Sequence, residues 1–229
     1  MDEEISTPES YPVERARPIA WVTWFLVGST VLVFLLQLFC LYRFGDDVIG
    51  DALAFSPQAF ADHHYWTLLT YAWAHAVAMF GNSDLFWLHI VANMIPIICL
   101  GPPLEEMLGH WRYLGLYLGG AIAAALVWFL FDHGGDDAII GASGAVFALI
   151  AAAGTAAPHA RVTVLLFYLI PLRMSLRVLA LVICGAELAQ LAFHWLPEVA
   201  HTAHLGGAAF GFLYIVTLRW YSRKKMAMD

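Results

Sequence analysis

Long apolar segments separated by short polar stretches dominate the pattern of this chain. Six of them approach the roughly 20 residues that an α-helix needs to cross a bilayer core of about 30 Å. We predict transmembrane helices at residues 18–41, 85–104, 113–131, 139–157, 176–195 and 202–221. Pro102, Pro103 and Gly109 mark a predicted turn between the second and third helices. The pattern therefore predicts an all-α polytopic membrane protein with both termini on one side.

Two connections differ from simple loops. Residues 43–84 form a long acidic connection with an aromatic, histidine-bearing run from Trp66 to Phe80, and connections of that length rarely lack secondary structure. We expect short helices in this run, lying in the membrane interface where Trp and Tyr rings are favoured. Residues 162–172 are too short to span, and we expect them to return along the surface.

The ends of the chain and its basic residues predict the orientation. Residues 1–17 are acidic and lack apolar periodicity, which is typical of a flexible tail, and residues 222–229 form a short basic tail. The domain between them, 18–221, includes 43–84 as an outer loop. In this arrangement every Arg and Lys except Arg43 lies on the side of the termini. The positive-inside rule makes that side cytoplasmic.

Composition supports the membrane class and limits the chemistry. Of the 229 residues, 61% are hydrophobic and 13% are charged, whereas soluble domains carry roughly a quarter charged residues. Mean hydropathy is +0.71. Cys40, Cys99 and Cys184 each lie alone in an apolar segment, which favours neither a disulfide framework nor a thiolate metal cluster. We expect the lipid bilayer as a partner, no nucleic acid, and neither metal nor cofactor.

Polar residues in three predicted helices fall at similar depths. The second, fourth and sixth helices all begin at the outer face, and His89, Ser143 and His204 lie five, six and six residues after the last outer charge. At about 1.5 Å per residue, these side chains lie roughly 8 to 9 Å inward. We therefore predict that they meet.

A serine beside a histidine is typical of nucleophilic catalysis. Serine attacks only when a base takes its proton, and neutral imidazole is the usual base near pH 7, so Ser143 and His204 are candidate catalytic residues. His89 and Asn93 share one helix face and are candidate donors to the anion that forms when serine attacks a carbonyl. Taken singly, the serine is more often a packing residue, and the His89–Asn93 pair equally fits a polar bridge between helices.

Small residues accompany both candidate catalytic residues. Gly141 and Gly144 flank the serine, and Gly207 and Gly211 follow the histidine at the spacing that lets helices pack closely. Such an approach is what a direct bond between serine and histidine needs. Ordinary helix packing is an equally compatible explanation of the same glycines.

Another intramembrane polar pair, Glu187 with Gln190, lies in the fifth predicted helix. We interpret it as a helix-contact or lipid-interface feature rather than a catalytic one. A transporter that uses His89, His204 and Glu187 as a proton path is a less favoured alternative, because it leaves the glycine-flanked serine unexplained.

Taken together, these residues resemble the rhomboid family of intramembrane serine proteases. The resemblance runs from about Trp66 to Gly211, with four short motifs in the family's order on the expected helices. The motifs are the H-x-x-x-N of His89 and Asn93, the G-x-x-x-E-x-x-x-G of Gly101, Glu105 and Gly109, the G-x-S-G of residues 141–144, and the A-H-x-x-G-x-x-x-G of residues 203–211.

The resemblance implies a six-helix core with a dyad of Ser143 and His204 and no acidic third member. His89, Asn93 and the backbone amide of Ser143 would bind the oxyanion in a water-filled cavity that opens outward. Substrates would be transmembrane helices, usually of single-pass proteins, cut near their outer ends. The main alternative is a catalytically silent rhomboid-like protein that binds membrane clients, although such members typically lack the serine or the histidine.

The resemblance also identifies supporting residues and departures. The supporting residues are Gly141, Gly144, Phe147, Gly207, Gly211 and Glu105. Thr67 follows Trp66 where many members have Trp-Arg, and Phe147 replaces a tyrosine that several bacterial members stack on the histidine. His75 resembles a further family histidine with a structural or water-holding role.

Overall fold

The fold is seen in a computed structural model, which describes residues 19–77, 86–131, 138–166, 170–196 and 199–228. The predicted N-terminal tail, residues 1–17, and the end of the predicted interfacial run, residues 78–80, lie outside these ranges.

Six long helices coincide with the six predicted segments. They are α1 (Trp21–Phe44), α5 (Phe86–Leu108), α6 (His110–Phe131), α7 (Ser143–Ala156), α8 (Leu176–Phe193) and α9 (His201–Met226). By length and composition, α1, α6, α8 and residues Trp87–Leu108 of α5 are able to cross a membrane. The shorter α7 is also apolar. The predicted fold class, an all-α polytopic membrane protein, is confirmed.

Several helix boundaries differ from the prediction. Pro102 and Pro103 lie inside α5, and the turn comes only at Gly109, whose φ is +79°. Proline is tolerated within membrane helices because neighbouring groups satisfy the freed backbone carbonyls. At the other end of the chain, α9 continues to Met226, so the predicted basic tail is largely helical.

The connection after α1 contains three short helices among its described residues, of which only the last lies in the run where helical structure is predicted. They are α2 (Val48–Leu53), α3 (Pro57–Ala61) and α4 (Thr67–Thr70). Asp47 and Ser56 cap the first two by accepting hydrogen bonds from the backbone amides of Gly50 and Ala59. The fourth helix lies within the predicted run and begins at Thr67, whose hydroxyl donates to the carbonyl of His64.

The connection between α7 and α8 is a β-hairpin, which the all-α prediction did not include. Strand β1 (Arg161–Leu166) pairs antiparallel with β2 (Ile170–Ser175), with Arg161 opposite Ser175 and Leu166 opposite Ile170. The prediction that this segment is too short to span is consistent with the hairpin. Three consecutive residues of β1, Val162 to Val164, are β-branched, which favours a strand over a helix.

Helix α7 occupies the centre of the bundle, with α5, α6, α8 and α9 packed against it. Every residue from Gly144 to Gly154 is buried. At the periphery, Glu105 of α5 accepts hydrogen bonds from the backbone amides of Val22 and Thr23 and from the Thr23 hydroxyl. This supporting residue therefore satisfies the free amides at the start of α1 and joins α1 to α5.

Candidate active site

Ser143 is the first residue of α7, and an extended segment leads into it. Ile139 and Phe55 exchange two backbone hydrogen bonds of 2.8 and 3.1 Å, and the amide of Gly141 donates to the carbonyl of Tyr71 at 2.9 Å. The helix therefore begins four residues later than predicted. These bonds fix the serine at the N-terminus of a buried helix.

Gly141 is required at its position for two reasons. Its φ is +118°, a conformation that L-residues rarely adopt, and a Cβ placed on it would come within 2.8 Å of the His89 ring. A glycine here lets the chain turn into α7 while the histidine ring packs directly against the backbone. The supporting role predicted for Gly141 thus has a local geometric basis.

The structure brings Ser143 and His204 together. The Nε2 atom of His204 lies 2.9 Å from the Ser143 hydroxyl oxygen, within hydrogen-bond distance, and both residues are half-buried. The depth argument thus anticipated this meeting correctly, although the serine begins its helix rather than following its first turn.

Glycines allow α9 to approach α7 closely enough for this contact. A Cβ on Gly207 would overlap the carbonyl oxygen of Gly144, and one on Gly211 would overlap that of Ala148. On its other side, Gly144 lies against Ala124, where a side chain would also overlap. The two helices therefore meet backbone to backbone, as the small-residue spacing predicted.

The Phe147 ring stacks on the imidazole of His204. Their centroids are 4.4 Å apart and the planes are inclined by 6°. Phe147 lies one turn after the serine on α7, so the helix that supplies the nucleophile also supports the face of the histidine. The stack fixes the orientation of the ring without the hydroxyl that several bacterial relatives have.

His89 and Asn93, both on α5, line the same cavity as the serine. The Nδ1 atom of His89 accepts a hydrogen bond of 3.0 Å from the amide of Ala76, which assigns the proton of the neutral ring to Nε2. Asn93 is 3% exposed and donates one amide hydrogen to the His89 carbonyl at 2.8 Å. A second amide hydrogen of Asn93 remains, so both side chains have a donor to offer.

His75 holds the segment between α4 and α5 in place. Its backbone exchanges hydrogen bonds of 2.9 and 3.0 Å with the Gln37 side chain of α1, and its Nε2 accepts one of 3.4 Å from the Ala142 amide. Burial, together with the neighbouring His89, lowers the pKa of His75 to about 3. A neutral ring is needed for Nε2 to accept, so burial and hydrogen bonding agree.

The cavity has a volume of about 390 Å³, large enough for several waters or a short unwound peptide segment. Its polar lining comes mainly from His89, Asn93, Ser143 and His204, and the rest is predominantly apolar. A cavity with polar groups inside an apolar bundle is the setting in which ionisable membrane residues usually have a function.

Glu187 lies between α8 and α9. It is 8% exposed, and its Oε2 lies 2.6 Å from Nδ1 of His201 and 3.0 Å from Nδ1 of His204. Of the two predicted interpretations, the helix contact describes Glu187 and the lipid-interface feature does not, because the carboxylate faces α9 and the candidate base. The cost of an ionisable group in a membrane helix is the signal in the sequence that singles out this residue.

Glu187, His201 and His204 also offer ligand atoms that lie within 4.8 Å of one another, as metal ligands do. The set of two histidines and one carboxylate is one that zinc sites use. Here Oε2 already forms a hydrogen bond with His201, so a metal would have to replace that bond. The hydrogen bond with His201 therefore satisfies this carboxylate oxygen without an ion.

Comparison with known proteins finds one matching family model and several related sequences. The Rhomboid domain family matches residues 62–221. Presenilin-associated rhomboid-like protein A, mitochondrial, of Danio rerio is 32% identical over 56% of this chain and 33% of its own length. RHOMBOID-like protein 5 of Arabidopsis thaliana is 29% identical over 67% of this chain and 45% of its own length. Rhomboid protein 1, mitochondrial, of Saccharomyces cerevisiae is 32% identical over 61% of this chain and 39% of its own length. The chain spans less than half the length of each of these relatives.

Proposed function

Because this chain belongs to the rhomboid family, we propose that it is an intramembrane serine endopeptidase that cuts transmembrane helices of other membrane proteins. One observation carries the proposal: the Ser143 hydroxyl lies 2.9 Å from Nε2 of His204 at a cavity within the helical core. Nucleophile and base within hydrogen-bond reach are what serine catalysis requires. A protein that only binds clients has no need of this pairing.

The reaction follows from the two side chains. Nε2 of His204 takes the proton of the Ser143 hydroxyl as its oxygen forms a bond to the scissile carbonyl carbon. When the tetrahedral intermediate collapses, the carbon–nitrogen bond breaks and the protonated His204 gives its proton to the leaving amine. Water then attacks the acyl-enzyme with His204 again as the base, which releases the acid and restores the serine.

Three donors are proposed to stabilise the oxyanion. Ser143 is the first residue of α7, so its amide has no partner within the helix, and the helix dipole favours negative charge at this end. The Nε2 proton of His89 and the free amide hydrogen of Asn93 belong to groups that line the same cavity. Preorganised donors of this kind usually make the largest single contribution to such reactions.

The substrate and orientation are proposed from topology. The distribution of Arg and Lys favours both termini on the cytoplasmic side, which places the start of α7 and the cavity toward the opposite face. A transmembrane substrate, usually single-pass, would reach the serine with its outer end after local unwinding, since a helix has no free carbonyl to offer. We propose that this integral multi-pass protein works at that face.

Reconstitution with a reporter transmembrane substrate tests the proposal. Ser143→Ala and His204→Ala should each abolish cleavage and labelling by a fluorophosphonate probe. Asn93→Ala should lower kcat on the order of 10²-fold, as expected for an oxyanion donor. Ser222→Ala, at an exposed position far along α9, serves as the control and should behave as wild type.

Normal cleavage by Ser143→Ala would show that the mechanism is wrong. Stable capture of the uncut reporter by a wild-type protein that the probe never labels would instead support the client-binding alternative. Proton-driven flux into liposomes that depends on Glu187 and His204 would favour the transporter.

A further inference from the structure

We propose that Glu187 is a positioning residue for His204, so that the site works through three residues rather than through serine and histidine alone. This inference rests on the proposed function. Nδ1 of His204 lies 3.0 Å from the Glu187 carboxylate, and Nε2 of the same ring lies 2.9 Å from the Ser143 hydroxyl. The ring is therefore held between an acceptor on one side and the nucleophile on the other.

The tautomer of His204 requires an acceptor at Nδ1. For Nε2 to take the serine proton, the neutral ring must carry its hydrogen on Nδ1. This atom is buried, and its contact with Glu187 is close but not aligned as a hydrogen bond among the described residues. Catalytic hydrogen bonds are often poorly aligned in empty sites and tighten when substrate binds. Glu187 is the group placed to accept this hydrogen.

The ionised state of Glu187 is supported by His201. Nδ1 of His201 lies 2.6 Å from the carboxylate, and Nε2 lies 3.0 and 3.2 Å from the carbonyl oxygens of Trp195 and Leu196. An ionised carboxylate accepts a hydrogen bond from Nδ1 of His201, while the carbonyl oxygens lie at the other ring nitrogen and hold the ring in place. This hydrogen bond offsets part of the cost of a carboxylate inside the bundle.

Glu187 lies at one of the two buried positions of α8. Leu176 and Glu187 are the buried residues of this helix, whereas Leu181, Val182 and Leu188 are exposed. A carboxylate on a largely outward-facing helix is thus directed to the candidate base. Two roles fit this contact: anchoring α8 to α9 through His201, or positioning His204, and they predict different kinetics.

The test compares Glu187→Gln and Glu187→Asp with wild type in a purified, monodisperse preparation. Fluorophosphonate titration counts active sites, so kcat is expressed per reactive serine, and thermal unfolding reports stability. Gln190→Ala, one turn away on α8, is the matched control. We expect Glu187→Gln to lower kcat by at least about tenfold with KM within about twofold, since soluble triads lose far more without their carboxylate. Glu187→Asp should recover part of the loss, and Gln190→Ala should match wild type.

The outcomes separate the two proposals. A Glu187→Gln enzyme with wild-type kcat, alongside an inactive Ser143→Ala, overturns the positioning role and leaves the protease proposal intact. Equal kcat losses in the Gln and Asp variants also overturn it, because a carboxylate would then have no advantage. If the Gln variant does not fold, the Asp variant decides: a lower kcat at unchanged KM supports positioning, and an unchanged kcat refutes it. A wild-type protein without Ser143-dependent activity overturns both proposals.

Discussion

Helices α7 and α8 both pack against α9, yet they do so in opposite ways. On α7, all residues from Gly144 to Gly154 are buried, and glycines bring its backbone into contact with that of α9. On α8, only Leu176 and Glu187 are buried among the described residues, and a Cβ on its Gly185 would meet open space. The serine and histidine thus lie on a closely packed pair, and the carboxylate lies on a helix with only two buried residues.

This difference teaches which part of the site is rigid. The serine–histidine contact is fixed by two backbones that cannot approach or separate without breaking many packed contacts. The contact of Glu187 with the histidine instead depends on side chains, because only Leu176 and Glu187 of α8 are buried. The nucleophile and base are therefore held by backbone contact, whereas the carboxylate is held by its own side-chain contacts with His201 and His204.

The largest expected effect comes from adding one methyl group at Gly207, where α9 meets α7. Gly207→Ala places a Cβ where the Gly144 carbonyl oxygen lies, so α7 and α9 must separate, and the serine–histidine contact lengthens with them. Overpacking of this kind costs about 1–3 kcal/mol, and a misplacement of about 1 Å in an active site can cost about 10²-fold in rate. We expect a lower melting temperature and a rate loss of at least that size.

Gly185→Ala on α8 is the matched control for this prediction. Its methyl group meets open space, and alanine is favoured over glycine in helices by about 1 kcal/mol, so stability should be equal or higher and cleavage unchanged. Melting curves and reporter cleavage measure both variants. If Gly207→Ala had the same melting temperature and cleavage rate as Gly185→Ala, close backbone contact of α7 and α9 would not be what holds the serine against the histidine.

A smaller effect, on stability, is expected at His75, which braces the start of α7. Its folded pKa of about 3 lies below the ordinary value near 6.5, so the unfolded chain takes up a proton that the folded one refuses. Stability from this residue is therefore complete above pH 6.5 and falls as the pH drops toward 3. Between pH 7 and 5, protonation of His75 in the unfolded chain lowers the free energy of unfolding by about 2 kcal/mol.

His75→Gln should flatten this pH dependence, whatever it does to stability at pH 7. Thermal or denaturant unfolding in detergent at pH 7, 6 and 5, followed by tryptophan fluorescence, measures the slope for wild type and variant. His63→Gln, at an exposed position, is the control that should keep the wild-type slope. An unchanged slope in His75→Gln would mean that the buried ring is protonated in the folded protein.

Much of this architecture could be predicted from sequence, because the bilayer sets the length of apolar segments. All six long helices lie within a few residues of the predicted ranges, with the largest error at the C-terminal end of α9. The meeting of Ser143 and His204 followed from counting residues inward from outer charges. The helix ranges follow from the regular rise of a helix across a layer of known thickness. The count to Ser143 assumed helix over residues 139–142, which are not helical, so in this case the depth was right although the local structure was not.

What could not be predicted depends on packing between helices. The sequence does not say which face of α8 meets α9, so Glu187 could not be assigned to His204 from its position alone. The start of α7 was misplaced because Ile139 pairs with a distant strand-like residue, Phe55, and such long-range pairing leaves no local pattern. The β-hairpin did leave a local pattern in the sequence, namely the β-branched run of β1.

The smallest expected effect lies at Phe147, where the two interfaces meet. Its ring stacks on His204 and belongs to a small apolar cluster against which Ile183 and Cys184 of α8 pack. Phe147→Leu keeps apolar volume but removes the stack, which is worth about 0.5–1.5 kcal/mol. If this free energy is lost from the transition state, kcat falls by about 2- to 12-fold.

Phe147→Tyr keeps the ring and should stay close to wild type, which separates stacking from simple filling of space. Cleavage kinetics with the reporter, at equal amounts of probe-reactive serine, measure both variants. If the loss in Phe147→Leu appears in kcat with KM unchanged, the ring positions the base. If leucine serves as well as phenylalanine, the close backbone contact of α7 and α9 is sufficient to orient His204, and the contrast with α8 becomes sharper still.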